Sequence, residues 1–139
     1  MKHINLIIIL ATVVLFASCT KTQQKNSACG TQVCSDIFMS VGIRYTDNAG
    51  KPIALSNFTV FDVTSNKQLY PGLPSANLVV GYYIVASDSN IKDYSTGGDI
   101  IKVSATDPAT GQTKIVNLKI SGGCNCHVAK LSGPDTVAF

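Results

Sequence analysis

The sequence predicts an all-β fold, an antiparallel β-sandwich of about seven strands, and three observations predict it. Apolar and polar residues alternate with a period of two in several short runs. Clusters of Asp, Asn, Ser, Gly and Pro separate those runs at intervals of roughly 10 to 17 residues, the rhythm of a sandwich. No stretch keeps a 3.6-residue period beyond two turns. A length of 139 residues, with 45% hydrophobic and 14% charged, gives one domain and excludes both a disordered chain and a coiled coil.

The strands follow in order. Ile37, Met39, Val41, Ile43 and Tyr45 alternate with Phe38, Ser40, Gly42 and Arg44, and Asp47 to Pro52 breaks the run. Phe58 to Val63 is a second strand, stopped by Ser65-Asn66-Lys67, and Gln68 to Tyr70 adds a short edge piece before Pro71-Gly72. Leu78 to Ala86 is continuously apolar, β-branched and aromatic, which reads as a strand buried on both faces. Ile101, Val103 and Ala105, then Val116, Leu118 and Ile120, form a hairpin around Asp107-Pro108-Ala109-Thr110-Gly111. Pro108 suits the first corner of a type I turn, and Gly111 supplies a left-handed residue. Cys126 to Leu131 and Thr136 to Phe139 complete the inventory.

The front of the chain is a different material. Lys2 and His3 precede an apolar run, Ile4 to Ala17, that spans about 21 Å as a helix, short of the roughly 30 Å hydrocarbon slab. A basic head, a short apolar middle and small residues at the end describe a secretory signal peptide. Ordinary cleavage near Ala17 and an uncleaved anchor are the competing readings. Leu15-Phe16-Ala17-Ser18-Cys19 resembles the lipobox of bacterial lipoproteins. That resemblance implies cleavage before Cys19, lipid on its thiol and acylation of the freed amine. Thr20 stands where lipoproteins retained at the inner membrane carry Asp, so the same resemblance implies the outer membrane. Residues 1–18 are thus expected to be the signal, 19–28 the lipidated cysteine and a polar tether, and 29–139 the folded domain.

Setting Cys19 aside leaves an even set, Cys29, Cys34, Cys124 and Cys126, and an exported chain turns such a set into disulfides. If Cys124 and Cys126 share a strand, their α carbons stand about 6.6 Å apart with parallel side chains, a poor fit to a local bond. Two crossbars between the N-terminal and C-terminal pairs are expected, nested or parallel. Each closes a loop of about 90 residues, worth roughly 4.5 kcal/mol for the first and much less for the second. The rival is a periplasmic metal-binding or thiol-redox site using Cys124-Asn125-Cys126-His127. The spacings C-x4-C and C-x-C-H are not those of a zinc knuckle or of C-x-x-C, and no metal or other cofactor is expected.

The inventory for catalysis is thin. Ten Lys and one Arg face eight Asp, Glu is absent, and the net charge of +3 without an Arg cluster speaks against nucleic acid as a partner. His127 is the one imidazole left after cleavage; it reads as a strand residue, and a hydrolase would need it in a pocket beside a Ser and an Asp. The Asp88 to Asp99 loop carries three carboxylates, yet its spacing is not that of a calcium loop and Lys92 opposes a cation. Tyr70, Tyr82, Tyr83 and Tyr94 offer a stacking platform for sugar or peptide, with core packing the plainer reading. Gly97-Gly98 and Gly122-Gly123 read as turns or bulges.

Asp47-Asn48-Ala49-Gly50-Lys51-Pro52-Ile53, opening a strand with Phe58 and Val60, resembles the start of a carboxypeptidase-regulatory-like (transthyretin-like) domain. Leu78 to Val85 resembles the Gly-x-Tyr strand of that group, and Gly122 to Phe139 resembles small bacterial lipoproteins. These likenesses imply a seven-stranded Greek-key sandwich without catalysis. The sequence therefore predicts a lipid-anchored envelope lipoprotein, not an enzyme, acting as a non-catalytic binding or structural module. Its expected partners are the membrane, through the lipid, and an envelope protein or glycan.

Overall fold

The computed structural model describes residues 29–69 and 79–139. Among the described residues eight strands are formed: β1 (Ser40–Thr46), β2 (Ser56–Asp62), β3 (Lys67–Leu69), β4 (Tyr82–Ser87), β5 (Asp99–Thr106), β6 (Thr113–Ser121), β7 (Ala129–Ser132) and β8 (Thr136–Ala138). They make a three-stranded sheet, β4-β1-β8, and a five-stranded sheet, β3-β2-β5-β6-β7. The all-β sandwich is the predicted one, with one departure in pairing: β8 runs parallel to β1, while the other pairings are antiparallel. A single core draws on both sheets, joining Val41, Ile43 and Tyr45 of β1 to Val60, Ile101, Val103, Leu118 and Ile120.

The β5–β6 hairpin is the anchor, paired from Asp99↔Ile120 to Thr106↔Thr113. Its inward positions, Ile101, Val103, Leu118 and Ile120, are buried, each contributing about 1.5–3 kcal/mol of apolar burial. The turn is held by Asp107, whose carboxylate accepts the Ala109 N–H and the Thr110 hydroxyl, while Gly111 takes the left-handed conformation at φ 72°. A polar residue also faces inward. Asp62 ends β2 fully buried, and its carboxylate accepts the N–H groups of Thr64 and Ser65 and the Ser65 hydroxyl, so the tight β2–β3 turn satisfies it.

Two strand expectations need correction. The apolar run before Ala86 is not one strand buried on both faces. Val79 and Val80 are exposed in a turn, Gly81 has φ 79°, and β4 starts at Tyr82 as the edge of the smaller sheet. Gly81 is required there, because a Cβ would stand 2.7 Å from the Tyr45 carbonyl oxygen. Leu78 and Tyr70 lie outside the described residues, as does everything before Cys29. The alternation from Ile37 is also interrupted. Ile37 and Met39 are exposed, and β1 begins only at Ser40, since the segment before it is secured by disulfides and by the Asp88 carboxylate rather than by a neighbouring strand.

Candidate functional site at the disulfide staple

Cys29 pairs with Cys124 and Cys34 with Cys126, with Cα–Cα separations of 5.1 and 5.3 Å. The expectation of two crossbars is met, and the structure selects the parallel version over the nested one. The pairing does not depend on a shared strand. Cys124 and Cys126 lie in the loop between β6 and β7, not on a strand, and so does His127. Gly122 and Gly123 let this loop press its backbone onto the segment after β4: their N–H groups donate to the carbonyls of Ser95 and Ile91 at 3.0 and 2.7 Å. The Cys124 N–H donates to Thr96 Oγ1 and the Asn125 amide to the Thr96 carbonyl. With four cysteines held in disulfides, the Cys-x-Cys-His segment presents no free thiolate as a metal ligand. Among the described residues no group of three His, Cys, Asp or Glu side chains is placed to hold a metal ion.

The second crossbar has a consequence for the residues beside it. Ser35 follows Cys34 and His127 follows Cys126, so the bond brings their side chains together, with Ser35 Oγ 2.9 Å from His127 Nε2. On the other side of the ring, His127 Nδ1 lies 2.7 Å from Asp88 Oδ2. Asp88 opens a 3-10 helix, Asp88–Asp93, that leaves the end of β4. Its carboxylate also accepts the N–H of Met39 on Oδ2 and the N–H of Val128 on Oδ1, each at 2.8 Å.

The electrostatics of this chain follow from its partners. Partial burial pushes the Asp88 carboxyl up, but the Met39 N–H, the His127 ring and the Val128 N–H together outweigh it and hold the group below its ordinary value. An ionised carboxylate accepts only, so His127 Nδ1 carries a hydrogen toward Asp88. In the neutral imidazole Nε2 then has its lone pair aimed at the Ser35 hydroxyl, which donates to it. Ser35 is exposed, whereas His127 and Asp88 are half-buried, with side-chain exposures of 25% and 15%.

The other carboxylates of the Asp88 to Asp99 loop diverge, which removes the calcium alternative's geometry. Asp93 pairs with Lys67, and Asp99 accepts the N–H and hydroxyl of Ser95. The tyrosines separate as well. Tyr83 packs edge-on to Tyr45 and accepts the Leu55 N–H, and Tyr94 is buried with its hydroxyl donating to the Val85 carbonyl. Tyr82 faces an opening, a shallow cleft of about 340 Å³ lined in part by Met39, Gly42, Val128, Lys130 and Asp135. Gly42 makes room for that ring, since a Cβ there would stand 2.5 Å from its Cζ. Met39 and Val128, whose N–H groups hold Asp88, form part of this cleft's wall, so the cleft borders the staple.

Comparison with protein-family models, with curated proteins and with solved structures finds no match to this chain. The reading of the site therefore stands on its geometry. Sequence reasoning singled out His127 and the four cysteines, considered Asp88 only as one carboxylate of a loop weighed for calcium, and passed over Ser35. The signal for Ser35 was present as adjacency: each residue of the pair follows a cysteine, and choosing the Cys34–Cys126 pairing brings the two together. Asp88 had no such signal, since 39 residues separate it from His127 and only the return of β4 beside β1 places it there.

Proposed function

We propose that this chain is an exported, lipid-anchored module of the cell envelope that works by binding a protein or glycan partner there. The observation that carries the reading is the oxidised pairing of Cys29 with Cys124 and Cys34 with Cys126. Structural disulfides form and persist in oxidising compartments, which fits a chain whose first residues read as a secretory signal. The anchoring half of the proposal rests on the lipobox-like Leu15 to Cys19. Acyl chains on Cys19 hold the protein at a bilayer, each buried methylene contributing about 0.8 kcal/mol, and more than one chain is needed for stable residence. The cleft beside Tyr82, with the Lys130–Asp135 ion pair on its wall, supplies an aromatic face and paired charges of the kind that seat a peptide or sugar.

Intact-mass analysis of protein purified from its own host tests the proposal. The expected product begins at Cys19, carries added acyl mass, partitions into detergent and contains four oxidised cysteines. A water-soluble product without acyl mass, or one with four free thiols, overturns it.

A further inference from the structure

The arrangement at the staple has the elements of nucleophilic catalysis, and this departs from the expectation of a non-catalytic module. We propose that Ser35 is a nucleophile toward small neutral esters, with His127 as its general base and Asp88 as the residue that positions the imidazole. The inference is independent of the lipid anchor.

Geometry carries it. A serine hydroxyl is a weak nucleophile until a neighbouring base stands ready to take its proton, and the base must be held in the tautomer that presents a lone pair. Ser35 Oγ is 2.9 Å from His127 Nε2, and Asp88 Oδ2 is 2.7 Å from Nδ1. Asp88 cannot turn away easily, because the backbone N–H groups of Met39 and Val128 grip its two oxygens from separate segments. The nucleophile and base are also joined covalently, through the Cys34–Cys126 bond one residue upstream of each. Their approach is thereby fixed, although Ser35 sits on an otherwise irregular segment. Ser35 is exposed, so an acyl group can reach it without a lid opening.

The surroundings define the substrate class. Val33, Ile37 and Phe38 flank Ser35 in the chain and are exposed, which favours a short apolar acyl group. Asp36 is adjacent and disfavours an anionic one. The N–H of Asp36 follows the nucleophile in the chain and makes no hydrogen bond among the described residues, which makes it the backbone donor nearest in sequence for the developing oxyanion. A solvent-exposed site with so few preorganised donors suits esters, whose alkoxide leaves readily, rather than amides.

The chemistry balances with water alone. Ser35 Oγ bonds to the acyl carbon as its proton passes to His127 Nε2; the ester C–O bond breaks and the alcohol departs with that proton. Water then attacks the acyl-serine, its proton passing through the same nitrogen back to Ser35 Oγ, and the carboxylic acid is released.

The test uses the oxidised full chain. Fluorophosphonate labelling is read by intact mass and peptide mapping, and hydrolysis of p-nitrophenyl butyrate is followed by absorbance. Circular dichroism and thiol titration check that each variant is folded and disulfide-bonded. The expected result is a single adduct on Ser35 and a hydrolysis rate about 100-fold or more above that of Ser35→Ala, the contribution of a positioned base. His127→Gln loses the same factor, and Asp88→Asn lowers kcat per competent Ser35, counted from end-point fluorophosphonate uptake, which a mere loss of folded fraction would not do. Absence of an adduct on Ser35 in the unaltered protein, or a Ser35→Ala variant that hydrolyses the ester as fast as its parent, overturns the proposal.

Discussion

Removing the two disulfides separately and together is expected to give a strongly non-additive loss of stability. Cys29–Cys124 and Cys34–Cys126 span 95 and 92 residues of sequence. Either one alone closes the large loop, which the chain-entropy relation values at about 4.5 kcal/mol. Once one is present, the other closes only the short ring made by the five-residue step from Cys29 to Cys34 and the two-residue step from Cys124 to Cys126. For a ring of that size the same relation gives roughly 2 kcal/mol. A Cys29→Ser/Cys124→Ser variant and a Cys34→Ser/Cys126→Ser variant should therefore each lose roughly 2 kcal/mol. The variant lacking all four should lose about 6–7 kcal/mol, some 2 kcal/mol more than the two losses added. Urea unfolding followed by circular dichroism measures all four proteins under one set of conditions. A loss near 4–5 kcal/mol for either single removal, or additive losses, would refute the reasoning, because it would mean that the two bonds do not constrain the same loop.

Two further outcomes follow from the core and the sheet edge. Tyr45 is buried at 1% exposure with its hydroxyl unpartnered among the described residues, and burial, with the nearby Tyr83, pushes its pKa up to about 12; burial raises Tyr94 to about 12 as well. A raised folded-state pKa means that stability is full below the unfolded value near 10 and falls between about pH 10 and pH 12, by about 2–3 kcal/mol per tyrosine. Tyr45→Phe should be neutral or slightly stabilising at pH 7, since it removes an unsatisfied buried group, and should reduce the alkaline loss; urea midpoints at pH 7 and pH 11 check both. Gly81→Ala should cost at least about 2 kcal/mol, because the residue has φ 79° and its new Cβ would meet the Tyr45 carbonyl; a thermal midpoint unchanged from the parent would contradict this.

Legibility in the sequence followed the range of the interaction. The β5–β6 hairpin could be read because its signals are local: a period of two on each side of a turn whose Asp107, Pro108 and Gly111 carry their own geometry. The run through Val79 and Val80 misled because hydrophobicity alone does not report a left-handed residue, and Gly81 diverts the chain before β4 starts. Ile37 and Met39 continued an alternation that the fold does not use, since the disulfides and Asp88 secure that segment without sheet pairing. Asp62 looked like an ordinary strand residue, and only the turn that wraps its carboxylate explains its burial.

The sequence by itself determined the all-β class, the order of the strand-forming runs and the even set of four cysteines beyond Cys19, because alternation, turn chemistry and thiol count are properties of neighbouring residues. Tertiary structure alone decided that Cys29 meets Cys124 and Cys34 meets Cys126, that β8 lies parallel to β1, and that Ser35, His127 and Asp88 converge. Each of those contacts joins residues 39 or more positions apart, and their approach depends on how two sheets close over one core rather than on any local preference.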